Sequence, residues 1–263
     1  MRESVTESSR VSRSSSGSWL LACLAVAPAC GRQLDLGSDL VWSATHETGD
    51  LSEWSAGAPG GSIADSLDTS VAVSTDFAHS GKYSVKLTNG AVGDIHIARV
   101  WRQADFPKEA FYSAWYYLPR AYQTKINWTI MQFRTPTDNP TVLSQFLDVD
   151  MRSLPGGELI LSIYDHRPQY LRLPTADPAV VLPVGRWFQI EVFFRNVPDA
   201  TGRFTLWVDG KLNYDIASRP MAPISTVYWT PCSITSDLTP TQSELYIDDA
   251  AVSFDWLSPQ SAL

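Results

Sequence analysis

Apolar and polar residues alternate with a period of two along most of the chain, and no long stripe with helical spacing stands out. Such alternation is typical of strands that bury one face, and glycines and prolines separate the alternating segments at short intervals. The segments that predict strands are Val71–Thr75, Tyr83–Thr88, Asp94–Gln103, Phe111–Leu118, Trp128–Arg134, Leu143–Arg152, Leu159–His166, Trp187–Arg195, Phe204–Asp209 and Glu244–Phe254. This set of strands without a convincing helix predicts an all-β fold, a two-sheet antiparallel β-sandwich.

The same alternation assigns side chains to faces, and Asp209-Gly210 predicts a tight hairpin turn because the glycine supplies a positive φ. The residues predicted to face the core are Met131, Phe133, Leu159, Leu161, Ile163, Phe188, Ile190, Val192, Phe194, Phe204, Leu206 and Val208, with Ile95, Ile97 and Trp101. The residues predicted on the opposite faces are His96, Arg102, Gln132, Arg134, Tyr164, His166, Trp187, Gln189, Glu191 and Arg195.

The first thirty residues predict an export signal. Three arginines precede the apolar stretch 19–27, which is too short to span a membrane. The small residues before Cys30 resemble the bacterial lipoprotein cleavage box, although Ala27 stands where that box usually has leucine. Lipidation of Cys30 and ordinary export with cleavage nearby both remain open.

This signal sets the expected domain organisation and location. We expect a signal peptide at 1–30, a tether at 31–40, a jelly-roll β-sandwich domain at 41–258 and a tail at 259–263. The protein is expected to be exported, as a periplasmic protein, an outer-membrane lipoprotein or a secreted protein. Its contact with a membrane would be limited to the lipid anchor on Cys30.

Composition narrows the function classes. The chain has 263 residues, 44% of them hydrophobic and 11% aromatic, which suffices for one sizeable core and argues against intrinsic disorder. Lysine and arginine total 20 against 28 acidic residues, and this net charge of −8 disfavours a nucleic-acid partner, which needs a basic surface. Three cysteines are too few for a disulfide scaffold. We expect a monomer without an organic cofactor.

Several motifs resemble known extracellular β-sandwiches. Thr45–Trp54 resembles the opening E-x-G-D-x-x-x-W strand of glycan-binding sandwiches, Ala78–Leu87 their second element and Leu245–Ser253 their closing strand. The segment Pro183–Gly210 is similar to concanavalin A-like jelly rolls, most of all to the heparin-lyase-like polysaccharide lyases. The resemblance covers residues 42–256 and implies a jelly roll that binds a polysaccharide or oligosaccharide.

The resemblance also implies a structural calcium ion near the sheet edge. In such sandwiches an acidic residue of the opening strand meets one of the closing strand, and the matching positions are Glu47 and Asp249, with Asp248 as the competitor. Carboxylate oxygens suit calcium, and a bound ion would tie the two chain ends together. The alternative is that these carboxylates are hydrated turn or edge residues.

Polar residues at alternate strand positions are candidates for a groove on one sheet. The catalytic candidates are Gln132, Arg134, Tyr164, His166 and His96. They suit β-elimination on a uronic-acid polymer, in which arginine or amide donors stabilise the charge that builds on the carboxyl group. A histidine or tyrosine takes the proton, and a tyrosine returns one to the leaving oxygen.

The strand order resembles that of jelly-roll lyases, which use an arginine-rich strand, a Gln-x-His strand and a tyrosine-bearing strand. Here Arg134 stands where that pattern has histidine, so the identity of the base stays open among His96, His166 and Tyr164. The tyrosine of such lyases usually comes later in the chain, nearer Tyr228. Each candidate also has a structural interpretation as a solvated strand or loop residue.

Substrate binding is assigned to residues that suit a charged sugar. Arg102 is the candidate for a carboxylate, since its planar guanidinium matches one. Trp128 and Trp187 are candidates for stacking on sugar faces, although tryptophans also pack between sheets.

Three functions remain open at this point. The first is an exported polysaccharide lyase that acts on an acidic glycan, and the second is a non-catalytic carbohydrate-binding surface protein with the same fold. The third is a glycoside hydrolase, which rests on Asp148 and Asp150, about 7 Å apart on one strand face. Because Arg152 takes the next outward position, a salt-linked surface strand explains this pair better.

Overall fold

The computed structural model describes residues 39–90, 92–136, 143–166, 171–172, 179–221 and 226–257, which all belong to one compact unit, 36–263. The predicted signal peptide with Cys30, the tether up to residue 38 and the tail at 259–263 lie outside the described residues. Among the described residues, no helix has the length and apolar character needed to cross a membrane.

The described residues form sixteen strands and one short 3-10 helix, Ser52–Trp54. In chain order the strands are β1 Leu40–Ala44, β2 Gly60–Ala64, β3 Thr69–Ser74, β4 Ser84–Asn89, β5 Val92–Asp105, β6 Glu109–Tyr117, β7 Gln123–Thr124, β8 Trp128–Pro136, β9 Leu143–Ser153, β10 Leu159–Asp165, β11 Leu171–Arg172, β12 Trp187–Arg195, β13 Arg203–Val208, β14 Lys211–Ile216, β15 Thr226–Thr239 and β16 Ser243–Ser253.

These strands form two antiparallel sheets. Sheet 1 has the order β14-β13-β12-β6-β16-β4-β3, with β1 beside β16. Sheet 2 has the order β11-β10-β9-β8-β15-β5-β2, with β7 beside β15. The predicted all-β, two-sheet antiparallel sandwich is confirmed, and the predicted strand Trp187–Arg195 coincides with β12.

Aromatic rings from both sheets fill the space between them. Phe133 of sheet 2 packs its ring against three rings of sheet 1, those of Tyr112 at 5.1 Å, Phe194 at 5.1 Å and Phe204 at 5.6 Å. All four side chains are at most 1% exposed. Edge-to-face and tilted contacts of this kind add to the burial of apolar area, so the core faces predicted for β8, β12 and β13 are confirmed.

The hairpin between β13 and β14 forms where the sequence predicts it. Asp209 has φ of 48° and Gly210 has φ of 73°, so both central residues of the turn are left-handed. A two-residue turn of this kind matches the right-handed twist of the flanking strands.

The faces predicted for β5 are wrong. Ala98 and Val100 face the core and are fully buried, whereas Ile95 is 67% exposed. His96 and Arg102 therefore lie on the core-facing side of β5, the same side as Ala98 and Val100. The pattern misleads because the large apolar side chains of Ile95 and Ile97 lie on the outward face, whereas the small side chains of Ala98 and Val100 face the core.

The outward face of β12 is covered by the C-terminal segment 254–257. The Leu257 amide donates to Glu191 Oε1 at 2.8 Å, and Gln189 Nε2 donates to the Leu257 carbonyl at 3.1 Å. Glu191 and Gln189 are therefore buried although they point away from the core. Burial raises the pKa of Glu191 to about 8, and the nearby Asp255 adds to the shift, while the Leu257 amide opposes it.

Candidate active site

A cleft of about 480 Å³ opens on the outward face of sheet 2. Four of the five predicted catalytic residues line it, and Asp148 joins them. The five residues of this polar wall are Gln132, Arg134, Asp148, Tyr164 and His166. The sequence-based expectation that Gln132, Arg134, Tyr164 and His166 converge is therefore met by their positions.

Strand register explains why these side chains meet. Gln132 on β8 is paired with Asp148 on β9, and Asp148 is paired with Tyr164 on β10. Directly paired residues point to the same side of a sheet, so the three side chains form one row across three neighbouring strands. Arg134 lies two residues further along β8 on the same face, and His166 follows directly after β10.

Asp148 links the residues of the polar wall. Gln132 Nε2 donates to Asp148 Oδ1 at 3.0 Å, and His166 Nε2 lies 2.8 Å from Asp148 Oδ2. Because a carboxylate only accepts, Nε2 of His166 is the donor in this contact. The ring of Tyr164 stands edge-on to that of His166 at 4.5 Å. The arrangement orients an imidazole and a phenol toward one cleft.

Two further residues lie beside this row: Arg99, which was not among the candidates, and Tyr228, which the sequence comparison named only as the place of the usual lyase tyrosine. Arg99 on β5 places its guanidinium 5.6 Å from the ring centre of Tyr228 on β15, and Tyr228 is paired with Arg134. Burial raises the pKa of the Tyr228 hydroxyl, and the charges of Arg99 and Arg134 oppose that shift. Burial and the charge of Arg99 lower the pKa of Arg134, while Asp148 opposes the change. The signal for Arg99 was its position in an arginine-rich strand, but the inverted face assignment hid it.

Arg99 and Arg134 hold buried donors that have no partner among the described residues. These are Nε and Nη1 of Arg99 and Nε of Arg134. A buried charged donor without an acceptor is costly, so these donors have hydrogen-bonding capacity that the described residues do not meet. The cleft thus combines an imidazole, a phenol and the guanidinium of Arg134, and Arg99 lies close enough to act on the charge of Arg134.

Four predicted site residues lie away from the cleft. His96 pairs with Asp65 at 3.8 Å, and Arg102 is buried where it donates to the carbonyls of Trp54 and Ala56 at 3.1 and 2.9 Å. The other two are tryptophans, which pack elsewhere. Trp128 is fully buried with Nε1 donating to Ser233 at 2.9 Å, and Trp187 lies on sheet 1, its ring 5.4 Å from that of Tyr117. Their predicted places in the groove are wrong, because packing against neighbouring loops and rings fixes each of them elsewhere.

The interpretation of Asp148 and Asp150 as a salt-linked surface pair is also wrong. Asp148 is 5% exposed and Asp150 is fully buried. Thr129 Oγ1 donates to Asp150 at 2.7 Å, and Asp148 holds Gln132 and His166. The pair belongs to the hydrogen-bonded lining under the cleft.

The residues at the sheet edge do not fit the expected calcium ion. Glu47 Oε1 accepts hydrogen bonds from the backbone amides of Lys82 and Tyr83, both at 2.9 Å. Asp249 Oδ2 lies 2.6 Å from Nδ1 of His79, and Asp249 Oδ1 accepts from the hydroxyl of Ser80 at 2.8 Å. Asp248, the competitor, accepts from His46 and from backbone amides. Among the described residues, no group of three or more histidine, cysteine or acidic side chains is arranged to hold a metal. The ion itself stays a prediction.

The fold and the cleft define a jelly-roll protein with a polar cleft on one sheet. The sequence model of the polysaccharide lyase family matches residues 46–226, and the chain belongs to this family. No curated protein matches the chain in sequence.

Solved structures share the fold. An endo-β-1,4-glucuronan lyase from the fungus Trichoderma reesei is 14% identical, with a TM-score of 0.63 over 85% of this chain and 100% of that one. An alginate lyase from Aplysia kurodai is also 14% identical, with a TM-score of 0.55 over 81% and 98%. A carbohydrate esterase from a Shiga toxin-encoding bacteriophage is 16% identical, with a TM-score of 0.53 over 82% and 99%. At such identities the likeness shows the fold, which hosts more than one chemistry.

Proposed function

We propose that the protein is a lyase that cleaves an acidic, uronic-acid-containing polysaccharide by β-elimination in the cleft of sheet 2. The observation that carries this proposal is the set of buried, unpartnered guanidinium donors of Arg99 and Arg134 beside the polar wall. Membership of the polysaccharide lyase family supports it. The net charge of −8 does not oppose a polyanion, because the local charge of the cleft governs binding.

Charge stabilisation falls to the two arginines. Removal of the proton α to a uronate carboxyl group moves negative charge onto the carboxyl oxygens. Guanidinium donors that face this group before the reaction stabilise the charge without reorganisation, and burial strengthens their effect. Gln132, held by Asp148, is the amide donor of the same row.

Proton transfer falls to His166 and Tyr164. The imidazole of His166 takes the C5 proton, the electron pair forms the C4–C5 double bond, and the C4–O bond to the leaving sugar breaks. The hydroxyl of Tyr164 protonates the leaving oxygen and then recovers a proton through the adjacent imidazole, whose ring is 4.5 Å away. Asp148 acts as a positioning residue, because its contact with Nε2 fixes the orientation of the imidazole.

The test is turnover of glucuronan and alginate, followed through the ultraviolet absorbance of unsaturated uronate ends. We expect Arg134→Ala to lower kcat/KM by roughly 10²-fold to 10³-fold, as removal of one charge-stabilising donor does. Asp148→Asn is expected to lower kcat and to change the pH profile, because the amide cannot accept from both Gln132 and His166.

The control is Arg203→Ala, which removes an exposed arginine paired with Asp215 on sheet 1 and should leave turnover unchanged. Binding of the polymers without any product would overturn the lyase and favour the carbohydrate-binding alternative. New reducing ends without ultraviolet absorbance would instead identify a glycoside hydrolase.

We also propose that the protein is exported and carries a lipid on Cys30. The basic start, the short apolar stretch 19–27 and the small residues before Cys30 support this location. An exported lyase would meet polymers that are too large to enter the cell.

A further inference from the structure

The cleft has a second wall that the proposed elimination does not use. This apolar wall consists of Ile95, Ile97, Ile126 and Ile234. Ile95 and Ile126 are 67% and 64% exposed, although each faces a cleft rather than open surface. Exposed apolar side chains that are rimmed by polar groups mark binding surfaces.

Strand register makes the apolar wall continuous with the polar wall. Ile234 on β15 is paired with Ile97 on β5 and with Thr129 on β8. Ile95 lies two residues before Ile97 on the same face, and Gln132 lies further along β8 from Thr129. A ligand held at Gln132 therefore extends over the isoleucines.

Unsubstituted uronates suit this wall poorly. Every hydroxyl pressed against isoleucine loses its hydrogen bonds to water without gaining a partner, which is costly. An acetyl ester removes the hydroxyl donor and presents a methyl group, whose burial is favourable. The wall contains branched aliphatic side chains and no aromatic ring, so it suits a small aliphatic group better than a sugar face.

The carboxyl group itself has to stay free. A methyl ester there would remove the negative charge that the unpartnered donors of Arg99 and Arg134 are placed to meet. We propose that the cleft selects uronans whose hydroxyls carry O-acetyl groups, with the four isoleucines as the acetyl subsite. This inference rests on the proposed function and names its substrate class.

The experiment compares O-acetylated β-1,4-glucuronan with the same polymer after mild alkaline removal of its acetyl groups. We expect kcat/KM to be about tenfold higher on the acetylated polymer, the scale at which a pocket discriminates one small apolar group. Ile95→Ser and Ile126→Ser should each bring the ratio of the two rates close to one. Both side chains are exposed, so the melting temperature should not change.

Leu67→Ser is the matched control, because Leu67 is a fully exposed apolar residue outside the cleft, and it should keep the native ratio. Equal rates on both polymers, or a ratio that survives both isoleucine variants, would overturn the acetyl subsite and leave the lyase standing. If neither polymer yields product, calorimetric binding decides. Tighter binding of the acetylated polymer would uphold the subsite and overturn the lyase, and equal binding would overturn both.

Discussion

At the scale of single residues, two buried acids differ in the hydrogen bonds that their carboxyl groups accept. Asp148 has hydrogen-bond donors for both of its oxygens, from Gln132 and from His166. Glu191 has one donor, the Leu257 amide, and its Oε2 has no partner among the described residues. The neutral form of Glu191 is therefore favoured, and the pKa of this residue rises to about 8.

This pKa predicts how stability depends on pH. The folded chain binds the Glu191 proton more tightly than the unfolded chain, whose pKa is near the ordinary 4.5. The stabilisation is complete below that value and is lost as the pH rises through about 8. We expect Glu191→Gln to remove this loss, so that above the folded-state pKa the variant melts roughly 5 °C or more higher than the native protein.

Calorimetric melting across this pH range is the measurement. Glu109→Gln is the control, because Glu109 lies on β6 of the same sheet but is exposed and pairs with Arg195. If the native protein and Glu191→Gln lose stability in parallel as the pH rises, the proton is not held by Glu191.

At the scale of elements, strands whose apolar and polar residues alternate could be predicted, and β15 could not. β12 alternates cleanly, and its bounds follow from the pattern. β15 is buried on both faces along most of its length and contains Pro231 in its interior, two features that hide a strand from periodicity. The proline is tolerated where the pairing of β15 with β8 shifts register, between Pro231 and Ile234.

The candidate site could likewise be predicted only where its residues follow the alternation of a strand. Gln132, Arg134 and Tyr164 occupy alternate positions on strands that are paired through β9, so their convergence follows from pattern and order. On β5 the large apolar residues Ile95 and Ile97 line the cleft, which inverted the predicted faces and hid Arg99. The role of Asp148 rests on hydrogen bonds between strands, which no single strand pattern contains.

The turn between β3 and β4 provides a prediction about one element. Gly81 has φ of +59°, and a Cβ there would lie 2.3 Å from Cδ of Glu47, whose carboxylate accepts the Lys82 and Tyr83 amides. Gly81→Ala should destabilise the protein by more than the about 1–2 kcal/mol of backbone strain alone, because those hydrogen bonds are also lost. Denaturant unfolding measures the difference.

Gly57→Ala separates the two causes. Gly57 has φ of +72° but nothing within 4 Å of an added Cβ, so only the backbone strain of about 1–2 kcal/mol is expected. If both variants lose the same free energy of unfolding, the Glu47 contact contributes nothing to the stability of the turn.

At the scale of the whole molecule, the lipid on Cys30 would decide where the enzyme works. An acyl chain adds about 0.8 kcal/mol of membrane affinity for each buried CH₂ group, so several chains on one cysteine hold a protein firmly. We expect the native chain to fractionate with membranes and Cys30→Ser to become soluble. Cys23→Ser is the control, because Cys23 lies inside the apolar stretch and should leave the distribution unchanged.

Recovery of the native chain in the soluble fraction, without incorporated fatty acid, would contradict the lipid anchor. The catalytic proposal would then remain for a freely secreted or periplasmic enzyme.

The central position of β15 also constrains biosynthesis. β15 separates β5 from β8 in sheet 2, yet only β16 follows it among the described strands. A chain that emerges from the ribosome from its N-terminus therefore presents the unpaired edges of β5 and β8 until β15 has been made. Unpaired edges recruit other strands, so aggregation during synthesis is the hazard that this topology creates, and a chaperone that shields those edges would counter it.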